Sequence, residues 1–161
     1  MVIVMFGVTG AGKTRIGTAL AQALGWGFVD ADDFHGEDNL AKLKQGIPLD
    51  HADRWPWLAR LRDVIRQCLG QRQDAVLACS ALRHAYRQYL RVGPEVVFMY
   101  LRAEVQVLEE RLKRRTGHFM NPGLLTSQLD TLEEPMDDIL AVDAERSPAE
   151  IVDFIRKALN L

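Results

Sequence analysis

Apolar residues along the chain fall into short continuous runs separated by stretches in which they recur every three or four positions. Val2 to Phe6 is a compact apolar run rich in β-branched residues, and Ile16, Leu20 and Leu24 then repeat at helical spacing over Lys13 to Leu24 before Gly25. A strand followed by a helix is predicted. Gly27 to Asp30 reads as a second short strand, Glu37 to Gln45 as a helix ending at Gly46, and Trp57 to Leu69 as a longer helix with Pro56 in its first turn. Ala75 to Cys79 and Val96 to Leu101 are apolar throughout, as parallel strands covered on both faces require.

Tyr86 to Arg91 belongs to a helix after the first of these runs, and Val105, Leu108 and Leu112 mark a helix after the second. Ile139 to Val142 is the fifth strand, and Ser147-Pro148-Ala149-Glu150 is a capping box opening a helix through Leu159. Thr116 to Pro135 shows neither a strand nor a long helical pattern and reads as a mobile flap. Five strands alternating with helices predict a single α/β domain over 1–161, with three layers and a mainly parallel sheet.

Between the first strand and helix stands Gly7-Val8-Thr9-Gly10-Ala11-Gly12-Lys13-Thr14, which satisfies G-x-x-x-x-G-K-[ST] in the context that makes the motif a phosphate loop. Backbone N–H groups from Gly7, Thr9, Gly10, Ala11 and Gly12 can surround an anion. Lys13 adds a point charge, and the Thr14 hydroxyl suits Mg²⁺. The motif predicts a nucleotide without naming the acceptor; no N-K-x-D guanine-reading motif accompanies it.

Asp30-Ala31-Asp32-Asp33-Phe34-His35 follows the second strand, at the rim where open α/β sheets bind ligands. In an extended segment Asp30 and Asp32 face the same side, so one carboxylate can serve the metal while the other orients a hydroxyl and takes its proton. Asp33 is the expected helix cap, and His35 by itself is as readily a packed histidine as a ligand. Arg54, Arg83, Arg87 and Arg115 lie next to loops at the carboxyl edge of the sheet, where guanidinium groups suit an anionic acceptor.

With 161 residues, 48% of them hydrophobic and 26% charged, the chain can hold a real core. Its 20 basic and 22 acidic residues give a net charge of −2, excluding the uniform basic field of a nucleic-acid binder. That total divides unevenly: −3 over residues 1–53, +7 over 54–115 and −6 over 116–161. Cys68 and Cys79 are too few for a disulfide framework or a four-cysteine zinc site, which points to a reduced, cytoplasmic setting. Met1 to Phe6 lacks the basic flank of a signal peptide, and no apolar run reaches the ~18 residues of a membrane span.

Over nearly its whole length the sequence resembles the gluconokinases of the P-loop kinase superfamily. The likeness is carried by GVTGAGKT, by DADDFH with Asn39, Lys42 and Gly46-Ile47-Pro48-Leu49, by Asp53-Arg54 with Pro56-Trp57-Leu58, and by CSALR with Tyr86-Arg87 and Leu90-Arg91. Gly117-His118-Phe119, Gln128 and Thr131-Leu132-Glu133 with Pro135 are similar too. The resemblance implies a three-layer P-loop kinase fold with a small lid over approximately 116–135, a homodimer, and ATP- and Mg²⁺-dependent phosphorylation of D-gluconate at its 6-hydroxyl. It also implies catalytic roles for Lys13, Asp32 and Arg115, and Mg²⁺ held by Thr14 and Asp30. Arg54, Ser80 and Arg83 would line the sugar-acid pocket with Asp32 and His35, Arg115 and His118 would belong to the lid, and Arg111 would stack on adenine. Gly36 stands where the family usually has proline. A shikimate kinase-like enzyme and a non-catalytic nucleotide-binding module are the alternative readings.

Overall fold

The computed structural model describes residues 1–114, 122–135 and 139–161. Its strands are β1 (Val2–Phe6), β2 (Gly27–Asp30), β3 (Ala75–Cys79), β4 (Val96–Arg102) and β5 (Leu140–Asp143). They form one sheet in the order β2-β3-β1-β4-β5, every neighbouring pair parallel. The helices are α1 (Lys13–Leu24), α2 (Glu37–Lys44), α3 (His51–Gly70), α4 (His84–Leu90), α5 (Val105–Arg114), α6 (Pro122–Thr131) and α7 (Pro148–Leu159), and a 3₁₀ turn spans Ala31–Phe34.

Alternation along β1 sends its side chains into two cores. Ile3 and Met5 pack with Leu20 of α1 and Ile151 and Ile155 of α7 on one face, while Val2, Val4 and Phe6 pack with Trp57, Leu61 and Ile65 of α3 and Leu90 of α4 on the other. β1 sits at the centre, and the chain moves from it first toward β2 and β3 and then to β4 and β5. The crevice at its carboxyl end is therefore the topological switch point where such sheets bind ligands.

Three predicted elements differ from the structure. The helix expected from Trp57 begins six residues earlier, at His51, because Asp50 and Asp53 form a reciprocal capping box there. Pro56 consequently lies inside α3, where it gives the Ala52 carbonyl no intrahelical donor. Part of the segment read as a flap is the ten-residue helix α6, held by buried Leu124 and Leu125. The run Asp30 to Asp33 is not extended throughout: Asp30 ends β2, and Asp32 and Asp33 lie in the 3₁₀ turn, whose cap is Asp30 rather than Asp33. The Ser147–Glu150 capping box of α7 forms as expected. Among the described residues no helix is long and apolar enough to cross a membrane.

Candidate active site

The loop after β1 requires its glycines. Gly7 has φ +149°, and a Cβ there would come within 2.7 Å of the Leu101 carbonyl oxygen. Gly12, at φ +93°, opens α1 without any side-chain cap, so the first N–H groups of the helix are left for an anion. Lys13 Nζ donates to the Val8 carbonyl oxygen at 3.0 Å, folding the ammonium over the loop. Thr9 and Ala11 are buried.

Side-chain contacts tie this loop and the start of α1 to their surroundings. The Thr14 hydroxyl donates to Asp30 Oδ2 at 2.8 Å, so the end of β2 is joined to the start of α1. The Thr9 N–H donates to Gln128 Oε1 of α6 at 2.7 Å. A hydroxyl paired with a carboxylate is a hard oxygen donor set and fits Mg²⁺, which keeps several waters and takes few protein ligands.

Asp30 uses its other oxygen, Oδ1, to accept from the Asp32 N–H at 3.1 Å, which fixes the 3₁₀ turn. The Asp32 carboxylate is left largely exposed, 3.7 Å from His35 Nε2. The His35 ring is buried and stacked on Trp57, with centroids 4.6 Å apart and planes 15° from parallel. Burial lowers its pKa against the pull of Asp32, and the charges of Arg54 and Arg60 add to the lowering. Trp57 in turn donates its indole N–H to the Ala31 carbonyl oxygen at 2.7 Å.

Two cavities meet at these residues. A cleft of about 510 Å³ runs past Gly12, Lys13, Thr14, Asp30, Asp32 and Arg111. A smaller pocket of about 70 Å³ is lined by Lys13, Asp32, His35, Arg54, Ser80 and Gln128. Lys13 and Asp32 belong to both, so the phosphate loop and the acidic rim lie where the two cavities adjoin.

Of the arginines expected at the site, Arg54 reaches the smaller pocket. It is buried, donates from Nε to the Leu49 carbonyl oxygen at 3.2 Å and lies 5.9 Å from the Tyr86 ring centroid. Burial is the main influence lowering its pKa, and no carboxylate among the described residues pairs with it. Arg83 does not line that pocket; it is the residue immediately before α4, and its side chain makes no capping hydrogen bond there.

Arg87 is structural. Buried 4.8 Å from the Phe6 ring centroid, it donates to the carbonyl oxygens of Ala81, Leu82 and Glu133, clamping the loop after β3 to the segment after α6. Arg111 lines the larger cleft but directs N–H groups to the Gly10 and Ala144 carbonyl oxygens, at 3.4 and 2.7 Å. Arg115 and His118 lie outside the described residues. Residue patterns alone give Gln128 and Trp57 no site role: Gln128 sits in the segment without a clear element pattern, and Trp57 enters as the start of a predicted helix, although both lie in stretches that carry the family likeness.

A parallel sheet with a phosphate loop at its central strand, and a second pocket meeting that loop at a lysine and an aspartate, defines a P-loop kinase of a small molecule. A family model described as shikimate kinase matches residues 9–160. A probable gluconokinase of Xenopus tropicalis is 42% identical, the match covering 96% of this chain and 91% of that one. A gluconokinase of Gluconobacter oxydans is 43% identical over 94% of this chain and 86% of its own. The crystal structure of a gluconokinase from Sinorhizobium meliloti superposes with a TM-score of 0.85 at 42% identity, covering 98% of this chain and 93% of that one. The chain belongs to the gluconokinase family, within the shikimate kinase group of P-loop kinases.

Proposed function

We propose that this chain transfers the γ-phosphoryl group of ATP to the 6-hydroxyl of D-gluconate, releasing ADP and 6-phospho-D-gluconate. The observation that carries this reading is the meeting of the two cavities at Lys13 and Asp32, in a chain whose relatives are gluconokinases. The larger cleft takes the nucleotide and the smaller pocket the sugar acid, so the γ-phosphoryl group and the acceptor hydroxyl meet at that boundary.

Each group has a distinct part. The open N–H groups at the start of α1 and the Lys13 ammonium hold the phosphates. Thr14 and Asp30 hold Mg²⁺, which when bound neutralises phosphate charge. Asp32 accepts the proton of the 6-hydroxyl as its oxygen bonds to phosphorus and the bond to the ADP oxygen breaks on the opposite side. Arg54, without a carboxylate of its own among the described residues, receives the substrate carboxylate, and Ser80 and His35 complete the pocket wall. Arg115 and His118 keep the lid roles that the family resemblance implies, and Arg111, which lines the larger cleft, keeps the adenine-stacking role that it implies.

The deciding experiment is an ADP-release screen with D-gluconate, other aldonic acids, shikimate and nucleoside monophosphates. ADP release that depends on D-gluconate supports the reading; preference for shikimate or a monophosphate overturns it, and ATP consumption indifferent to any acceptor favours a nucleotide-binding module. A cytoplasmic homodimer is the expected form, checked by light scattering against the 18.2 kDa chain mass.

A further inference from the structure

Gln128 lies on α6, far along the chain from the phosphate loop, yet its side-chain oxygen receives the Thr9 N–H at 2.7 Å. A backbone N–H can only donate, so the Gln128 atom facing Thr9 is the carbonyl oxygen, and the orientation of the amide follows from its partner. Its two Nε2 hydrogens are thereby left to the other side. Gln128 also lines the smaller pocket beside Lys13 and Asp32, and its side chain is partly accessible.

α6 itself is anchored at its far end. Just beyond it, Glu133 N–H donates to the Leu82 carbonyl oxygen at 2.9 Å, Glu133 Oε2 accepts from the His84 N–H at 2.6 Å, and Arg87 grips the Glu133 carbonyl oxygen at 2.9 Å. The helix is therefore joined to the phosphate loop through Gln128 and to the loop after β3 through Glu133. An amide held at both its oxygen and its helix presents N–H donors in a set place.

From this placement we infer that Gln128 is an acceptor-reading residue: its Nε2 hydrogens donate to the oxygen of the hydroxyl that receives the phosphoryl group. The inference rests on the reading of D-gluconate as the acceptor. The end of the acceptor nearest the phosphate loop is, by the reaction, the end being phosphorylated. A hydroxyl oxygen there has two lone pairs and one hydrogen. One lone pair faces phosphorus, the hydrogen goes to Asp32, and the remaining lone pair takes a Gln128 N–H. An acceptor lacking that hydroxyl leaves the amide donors unmet, so the contact selects for it.

The test is a double-mutant cycle between side chain and ligand, using the full chain without nucleotide. Calorimetry measures binding of D-gluconate and of 6-deoxy-D-gluconate to the wild type, to Gln128→Met, which removes both hydrogen-bonding ends, and to Gln128→Glu, which keeps an oxygen for Thr9 but has no donor. In both variants D-gluconate binding is expected to weaken about tenfold relative to any change in 6-deoxy-D-gluconate binding. Added charge in Gln128→Glu acts on both ligands and cancels in the comparison. Equal losses for the two ligands, or no loss for either, would overturn the role of Gln128 while leaving gluconate as the substrate. Wild-type protein that fails to bind D-gluconate overturns the substrate reading and this inference with it.

Discussion

Trp57 donates its indole N–H to the carbonyl oxygen of Ala31 at 2.7 Å, so a residue in the core of α3 holds the turn that carries Asp32. Both groups are buried, and replacing the donor leaves a carbonyl without a partner. Trp57→Phe is expected to cost about 1–3 kcal/mol in urea unfolding. It should also lower kcat/KM for the acceptor, because the turn beneath Asp32 and the ring stacked on His35 both shift. A variant with wild-type stability and wild-type kcat/KM would separate the tryptophan from the site.

Lys13→Ala tests the phosphate loop. The side chain donates to a carbonyl oxygen of its own loop, so circular dichroism and melting should stay close to wild type. Turnover is expected to fall on the order of 10²–10³-fold, the usual effect of deleting one preorganised charge from a transferring group. Near-normal ADP release would remove Lys13 from the catalytic set.

Asp32→Asn retains the size and the exposure of the side chain and loses its capacity to accept a proton. Removing a general base is expected to lower kcat by roughly 10²–10⁴-fold with the KM for ATP little changed. Loss of nucleotide binding with normal transfer at saturation would instead put Asp32 beside Asp30 in the metal site.

The ion pair between Lys42 and Asp53, 2.7 Å apart, predicts how stability depends on pH. The hydrogen bond from Lys42, helped by the Asp50 backbone N–H, holds the Asp53 carboxyl below its ordinary value. The unfolded chain therefore binds the Asp53 proton more readily than the folded one. The stabilisation is present above the ordinary aspartate pKa of about 3.9 and is lost as pH falls through the lower folded value. Asp53→Asn should be less stable than wild type at neutral pH, and the gap should narrow in urea titrations carried below that range.

Gly36 offers a gain. Its φ of −72° and ψ of 165° are open to proline, and the preceding His35 has the extended geometry that proline favours. Among the described residues the Gly36 N–H makes no hydrogen bond that proline would remove. Gly36→Pro is expected to stabilise the fold by about 0.4–1 kcal/mol by restricting the unfolded chain. A lower unfolding midpoint would mean that the turn at Ala31–Phe34 has to move.

The departures from expectation share a cause. Asp33 and Arg87 carry the same chemical groups as Asp30 and Arg54, and nothing in their immediate neighbours distinguishes them. Asp30 becomes the cap because it ends β2 where the Asp32 N–H turns back upon it. Arg87 becomes structural because α4 places it against Phe6 and beneath three carbonyl oxygens. The start of α3 was hidden behind Pro56, a residue that fits a first turn but here follows an aspartate capping box.

What the sequence by itself determined is local and contiguous: five apolar runs, the helical repeats between them, the phosphate loop and the carboxylates after β2. Backbone preference, side-chain periodicity and a motif of eight adjacent residues act within a few positions of one another, so they can be read without the fold. Tertiary structure alone decided which side chains share a pocket. Gln128 meets Thr9 across 119 positions and Trp57 meets Ala31 across 26, because the order β2-β3-β1-β4-β5 and the anchoring of α6 bring distant segments to one edge. Such contacts depend on the packing of the whole sheet and its helices, and no window of residues contains them.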